Sequence, residues 1–477
     1  MKHLLLSLLV AAAPFSASAQ NVLVLFADDL GQRDLGCYNP ETFYETPHLD
    51  NLAKSGVRFS NGYSASQVCS PSRYSLMTGK WPTRSGITNY IGGERVERFA
   101  PAPYTWALPA GETTLAEALK AAGHQSTYVG KWHLGKDETD WPEHHGFDHN
   151  IAGFGAGHPK SWFSPYQNPR LPDGPKGEFL TERLARETIA ALKAAKESGK
   201  PFFICHSFYQ VHTPLKAPEH LVKKYEEKKQ KLGLEDRFGS EAQHFVTEKN
   251  PRRVRETQAH ATYAAMVEAM DTAAGGILRA LDELGLAEKT LVIFASDNGG
   301  LSTSEGLPTS NLPFRAGKGW AYEGGIRVPF IARWPSGGIS NKVVDTPVST
   351  IDIFPTALAA AGKQSTGVDG VDLTPLLRGQ SIPDRDLFWH YPHYSNQGGY
   401  PAGTIRSGDW KLIENLEDGS VALYNLADDL AEKKNLATEQ PERVAALRGK
   451  LHAWYRETGA KFLQAKKGGP KPWSPGD

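Results

Sequence analysis

Four short stretches carry residue types and spacings that could do chemistry. Cys69-Ser70-Pro71-Ser72-Arg73 opens with a thiol and ends with a guanidinium. Ser70 is a good N-cap, and Pro71 suits a first helical turn, where its missing N–H costs nothing. A helix starting here puts Cys69 at its electropositive end and Arg73 on the same side four residues later, an activated position that welcomes anions. Taken alone, the motif reads more plainly as a buried Cys before an ordinary helix. Asp28-Asp29 sets two carboxylates side by side. They repel unless a cation lies between them, and hard oxygen ligands favour Ca²⁺ or Mg²⁺; a solvated turn with a capping Asp is the alternative. Asp297-Asn298 offers two more oxygen ligands before Gly299-Gly300, or else forms an Asx turn. Lys131 and His133 are two apart, so in extended chain a permanent cation and a titratable base share a face.

The elements that must position these groups are legible from periodicity. Residues 21–26, 201–206 and 290–295 are continuous apolar runs of strand length, as in a buried parallel sheet. Asp28-Asp29 and Asp297-Asn298 follow two of them directly, at the strand ends where open α/β sheets place ligands. Residues 126–129 read as a strand leading into Gly130-Lys131-Trp132-His133. Thr114 and Glu117 form a capping box, and residues 180–195 and 256–286 have helical periodicity. Residues 216–255, rich in Lys and Glu, read as a polar surface excursion. Beyond Pro383 the texture changes to short antiparallel strands (387–391, 404–406 with 410–413, 421–424) and a closing helix (439–455), with a mobile tail after Lys461. The expected fold class is therefore α/β: a large domain (residues 20–380) with a mainly parallel central sheet flanked by helices, plus a smaller C-terminal α+β domain (381–477) with an antiparallel sheet.

Composition narrows the function classes. With 53 basic and 53 acidic residues there is no broad positive field for nucleic acid. Residues 1–19 combine a basic start, an apolar run too short to span a bilayer and the small-x-small site Ala17-Ser18-Ala19. They read as a signal peptide cleaved near Ala19, which implies a periplasmic or secreted protein with no membrane span. Three cysteines, Cys37, Cys69 and Cys205, do not make a disulfide scaffold. Cys37 and Cys205 read as either a bridge or two buried thiols.

The Cys-x-Pro-Ser-Arg run with Thr78-Gly79 resembles the signature of the type I (formylglycine-dependent) sulfatases, in the alkaline phosphatase superfamily. Asp28-Asp29, Gly130-Lys131-Trp132-His133, the His212-Thr213-Pro214 segment, Asp297-Asn298 and the Lys318 segment follow that family's order across nearly the whole chain. The resemblance implies that Cys69 is oxidised to formylglycine by a maturation enzyme. It implies a divalent cation, with Ca²⁺ a slightly better fit than Mg²⁺, held by Asp28, Asp29, Asp297, Asn298 and the modified Cys69. It further implies that Arg73 orients the formylglycine hydrate, Lys131 and Lys318 bind sulfate, His212 protonates the leaving alcohol and His133 takes the proton that lets sulfate depart.

The implied activity is hydrolysis of organic sulfate esters, with sulfated carbohydrates the expected substrates. Two other readings are a phosphate or phosphonate monoester hydrolase of the same superfamily and a non-catalytic binder of sulfated glycans. Candidate specificity residues, chosen for charge or ring type in variable stretches, are Arg170, Lys216, Arg315, His390, His393 and Arg406.

Overall fold

All seven residues of the strand Asn21–Ala27 are buried, as expected of a strand covered on both faces. It lies near the middle of an eight-stranded sheet in the computed structural model, which describes residues 21–242 and 251–476. The proposed leader, residues 1–19, lies outside the described residues. The sheet order is Lys342–Val344, Val57–Phe59, Phe330–Arg333, Thr290–Ser296, Asn21–Ala27, Phe202–Ser207, Gln125–Gly130 and His149–Ile151. Neighbours are parallel except Phe330–Arg333, which is antiparallel to both its partners.

The two-residue period of Asn21–Ala27 divides the core between the faces of the sheet. Leu23, Leu25 and Ala27 pack with Leu184 and Leu192 of the helix Leu180–Ser198 and with Met266, Met270 and Ile277 of Ala261–Glu283. Val22, Val24 and Phe26 pack with Tyr74 and Met77 of Cys69–Thr78, Leu119 of Leu115–Ala121 and Ala357 of Ile353–Ala360. Each fully buried aliphatic or Phe side chain contributes roughly 1.5–3 kcal/mol of transfer free energy. The same division settles the cysteines. Cys205 is buried on the second face, whereas Cys37 packs against the first, so the sheet separates them and both are free thiols.

Several local expectations are met and several corrected. The capping box forms: Thr114 N–H donates to Glu117 Oε2 at 2.8 Å, and Glu117 N–H donates to Thr114 Oγ1 at 3.2 Å. Ser70 is not the N-cap of its helix. The helix starts at Cys69 with Val68 as cap, because the Ser70 hydroxyl is claimed by the Ile91 N–H at 3.0 Å. Gly79 ends that helix at φ 66°, the left-handed position that favours glycine. The long helix begins at Ala261, later than its periodicity suggests: the Glu256 N–H is taken by the Arg237 carbonyl at 2.9 Å, and His260 caps the helix by accepting from the Tyr263 N–H at 3.3 Å. The polar excursion before it holds the helix Glu219–Lys231. The tail is not a loose end: Gln464 bridges Ala100, Leu463 is buried and Trp473 packs on His452. No helix among the described residues is long and apolar enough to cross a membrane.

The C-terminal lobe is a four-stranded antiparallel meander, Asp386–Tyr391, Ala402–Ser407, Trp410–Asn415 and Val421–Asn425. The helix Pro441–Thr458 covers it with Leu447, Leu451, Trp454 and Tyr455. Buried charge ties this lobe to the large one. Lys411 Nζ lies 3.0 Å from Glu323 and 2.8 Å from Glu432, with all three side chains fully buried. Tyr63 donates to Glu323 at 2.7 Å. Burial, opposed by Lys411, pushes the Glu432 carboxyl up to about 7 from an ordinary 4.5. A carboxyl raised on folding holds its proton more tightly in the native state. Its contribution to stability is therefore full below about pH 4.5 and lost as pH rises through about 7. Glu432→Gln should remove that part of the pH dependence. Between about pH 4.5 and about pH 7 its melting temperature should fall less than the parent's, by about 2 °C or more in paired thermal scans; parallel curves would contradict this assignment.

Candidate active site

Three neighbouring motifs come together because their strands run parallel and end at one edge of the sheet. Asp28 and Asp29 follow Asn21–Ala27, Asp297 and Asn298 follow Thr290–Ser296, and Lys131 follows Gln125–Gly130. Backbone bonds carry the register past the strand ends: Asp297 N–H donates to Ala27 C=O at 3.2 Å and Lys131 N–H to Ser207 C=O at 2.9 Å. Gly130 makes the second bond possible, since a Cβ there would lie 2.0 Å from the Ser207 oxygen. Asp29 is left-handed at φ 61°, and its N–H donates to Asp297 Oδ1 at 3.1 Å. That uncommon conformation is held by its surroundings.

The carboxylates of Asp28, Asp29 and Asp297 each place an oxygen within 4.8 Å of the others, all buried. Each also has a buried cationic neighbour. Lys131 Nζ contacts both oxygens of Asp28 at 2.8 and 2.7 Å, and Lys318 Nζ contacts Asp29 Oδ2 at 2.7 Å. Arg73 donates to Asp297 Oδ2 from Nε at 3.1 Å and from Nη2 at 2.8 Å. Burial raises the Asp28 carboxyl well above the usual range; Lys131 opposes this, and the crowding of Asp297 and Asp29 adds to it. The Lys318 ammonium is raised despite burial, chiefly by Asp29. Asn298 Nδ2 donates to Asp29 Oδ1 at 2.9 Å, yet the buried Asn298 Oδ1 has no hydrogen-bond partner among the described residues. Three carboxylates and an orphaned amide oxygen make an all-oxygen donor set that fits a hard divalent cation.

Cys69 lies beside this cluster, buried at its helix N-terminus. Its Sγ is 3.3 Å from His133 Nδ1. His133 Nε2 is 3.2 Å from the Ile91 carbonyl, which only a protonated Nε2 can satisfy, so Nδ1 presents a lone pair to residue 69. Burial, reinforced by Lys131 and Arg73, holds the His133 imidazole well below its ordinary pKa and therefore neutral. The expected activation of the Cys69 thiol does not occur. Burial outweighs Lys131 and Lys318 and pushes the thiol up, while the Arg73 guanidinium is taken by Asp297, the Lys131 carbonyl and Ser207. His212 donates from Nδ1 to the Thr213 carbonyl at 2.6 Å, leaving Nε2 3.7 Å from Asp29 Oδ2. Burial, then Lys318, lowers its pKa.

Cys69, His133, His212 and Lys318 open into a cavity of about 300 Å³. The other polar side chains of its wall come from residues that sequence reasoning missed: Tyr90, His158, Glu305, Asn396 and Gln397. They sit on four separate loops. None of the expected specificity residues lines the cavity. Arg170 pairs with Glu143 at 2.6 Å and Arg315 with Glu241 at 2.6 Å. Buried His390 bonds the Lys461 carbonyl, buried His393 bonds Thr88, and Arg406 holds Asn61 and Tyr63. Lys216 is exposed. The sequence shows that these residues are polar, not which way they face. Away from the cavity, Arg327 pairs with Glu323 at 3.3 Å and His206 bonds Thr188 at 2.6 Å.

The chain is similar to known proteins over most of its length. Residues 20–363 match the sulfatase family, and residues 316–458 match the family described as N-sulphoglucosamine sulphohydrolase, C-terminal. The chain is 33% identical to N-acetylgalactosamine-6-sulfatase of Canis lupus familiaris, over 81% of this chain and 72% of that one. It is 32% identical to steryl-sulfatase of Mus musculus, over 82% of this chain and 71% of that one. The solved structure of Ps i-CgsB in complex with k-i-k-neocarrahexaose is similar with a TM-score of 0.74 at 26% identity, covering 92% of this chain and 93% of that one. With the family matched across most of its length and its strand-end motifs gathered at one pocket, the chain belongs to the sulfatases and is a sulfuric ester hydrolase.

Proposed function

We propose that this sulfatase acts on sulfated carbohydrates, with Cys69 matured to formylglycine and a divalent cation bound by Asp28, Asp29, Asp297, Asn298 and residue 69. The observation that carries the cation reading is the partnerless Asn298 Oδ1 beside three buried carboxylates. Their three negative charges are matched by Arg73, Lys131 and Lys318. A bound divalent cation leaves the site net positive, which suits an anionic ester. The all-oxygen set favours Ca²⁺ over Mg²⁺, which keeps more of its water. Formylglycine, once hydrated, supplies one hydroxyl to attack sulfur and a second whose ionisation expels sulfate, a route closed to the protonated thiol.

The chain's own residues divide the remaining work. Lys131 and Lys318 provide positive charge for the non-bridging sulfate oxygens. Arg73, donating to Asp297 from Nε and Nη2, keeps that carboxylate oriented. His133 accepts a proton at Nδ1, steadied by its bond to the Ile91 carbonyl. His212, its Nδ1 held on the Thr213 carbonyl, donates to the leaving alcohol from Nε2 when protonated; burial and Lys318 oppose that charged form, and Asp29, 3.7 Å away, favours it. The polar wall of Glu305, Asn396 and Gln397 supports a hydroxyl-rich leaving group over a steroid. Residues 1–19 support export to the periplasm or medium, where sulfated polysaccharide fragments would be met.

Cys69→Ala should lower sulfate-ester turnover by about 10³-fold or more while leaving the fold intact by circular dichroism. Peptide mass spectrometry of the parent should show residue 69 without sulfur; an unmodified Cys69 in fully active enzyme would refute the maturation reading. His133→Ala should release alcohol once per enzyme and then stall, read as a burst in rapid mixing. Asn298→Leu should bind less Ca²⁺ by elemental analysis and lose the parent's Ca²⁺-induced rise in melting temperature.

A further inference from the structure

Glu305 is a carboxylate in the wall of a pocket whose floor carries Lys318 and His212. An anion beside a site for an anionic group is opposed by simple Coulomb repulsion, so its presence calls for an explanation. The carboxylate is fixed from two sides. Thr213, next to His212, donates to its Oε2 at 2.7 Å, and Gln397 Nε2 of the C-terminal lobe donates to its Oε1 at 2.8 Å. Gln397 is itself buried, and its carbonyl accepts from Thr303 at 2.8 Å and from the Trp320 indole at 3.0 Å. Glu305 lies at φ 51°, followed by Gly306 at 92° and Leu307 at 48°. Non-glycine residues stay left-handed only where their surroundings hold them there. The charge also reaches the floor, since Glu305 is among the groups that raise the Lys318 ammonium, after Asp29 and Cys69.

Two donors use only part of a carboxylate's acceptor capacity, which is about four lone-pair sites. The remainder faces solvent at the pocket, since Glu305 is exposed. A hydroxyl or ammonium on the substrate can use it; a second sulfate or a carboxylate cannot. We infer that Glu305 is a specificity-determining residue. It accepts a hydrogen bond from a free hydroxyl or ammonium beside the scissile ester and rejects sugars that carry a second anionic group there. This deepens the carbohydrate reading above and rests on it. A cavity of about 300 Å³ is at the small end for ligand sites, in keeping with recognition of one sugar ring.

The competing explanation is that Glu305 only latches two loops together, and Glu305→Gln separates the two. The amide keeps the size and one acceptor oxygen but removes the charge. The probes are a monosaccharide sulfated at one position, the same sugar sulfated at that position and its neighbour, and 4-nitrophenyl sulfate. In the parent, kcat/KM should favour the singly sulfated sugar over the vicinal disulfate. Glu305→Gln should shift that ratio toward the disulfate by about tenfold or more, and Glu305→Asp, which keeps the charge, should retain the parent's preference. Parent and Glu305→Gln ratios that agree while both sugars are turned over would overturn the inference and leave only the latch. A parent that cleaves 4-nitrophenyl sulfate but neither sugar would overturn the carbohydrate reading on which it rests.

Discussion

Everything in this molecule is arranged around three carboxylates that would repel one another. Asp28, Asp29 and Asp297 are fully or almost fully buried, where like charges are least screened. They stay together because three cations are buried with them, each within 3 Å of its own carboxylate. Those cations come from three different places: the middle of a helix, the end of a strand and a loop beyond residue 300. Holding the cluster therefore fixes the relative positions of the sheet centre, the Cys69 helix and the Lys318 loop. Removing one partner from such a buried set leaves an uncompensated charge, a loss on the order of 3–5 kcal/mol.

The floor of the site was legible in the sequence because physics leaves little choice there. A fully buried strand must be apolar, so the first polar residues after 21–27 and 290–296 mark where the sheet ends and ligands begin. The strands of the C-terminal lobe were visible for the same reason, in their aromatic and β-branched runs. The rim was not legible. Tyr90, His158, Glu305 and Gln397 are far apart in sequence, and no local pattern says that their loops meet. His390, His393 and Arg406 misled in the opposite direction. Their chemistry suits sugar recognition, but each is buried away from the cavity and satisfies a backbone or hydroxyl group. The thiol reading failed on magnitude: the helix end and nearby cations act on Cys69, but its burial is the larger effect.

Floor and rim also differ in how they are held. The floor hangs on backbone hydrogen bonds at the ends of the parallel strands, which tie Asp297 to Ala27, Lys131 to Ser207 and Asp28 to Gln210. The rim rests on side-chain contacts between loops, such as Thr213 and Gln397 on Glu305 and Asn396 on Tyr90. Rim residues can change without disturbing a strand, whereas a floor residue cannot move without shifting the sheet register. Chemistry and selectivity are thus assigned to parts of the fold with different tolerance for change.

The glycine pair after Asn298 has a consequence for the molecule's modularity. Gly299 N–H donates to Gly325 C=O at 2.9 Å, and a Cβ on Gly299 would lie 1.9 Å from the Gly324 oxygen. Two residues before Gly325 is Glu323, the carboxylate that Lys411 of the C-terminal meander grips. One turn of chain therefore joins the residues that would hold the metal to the seam between the lobes. The matched families overlap across this turn, over residues 316–363. The C-terminal lobe is consequently not a cassette that could be cut away or exchanged between sulfatases at will. A graft between it and the large lobe would have to carry the 299–325 segment with it.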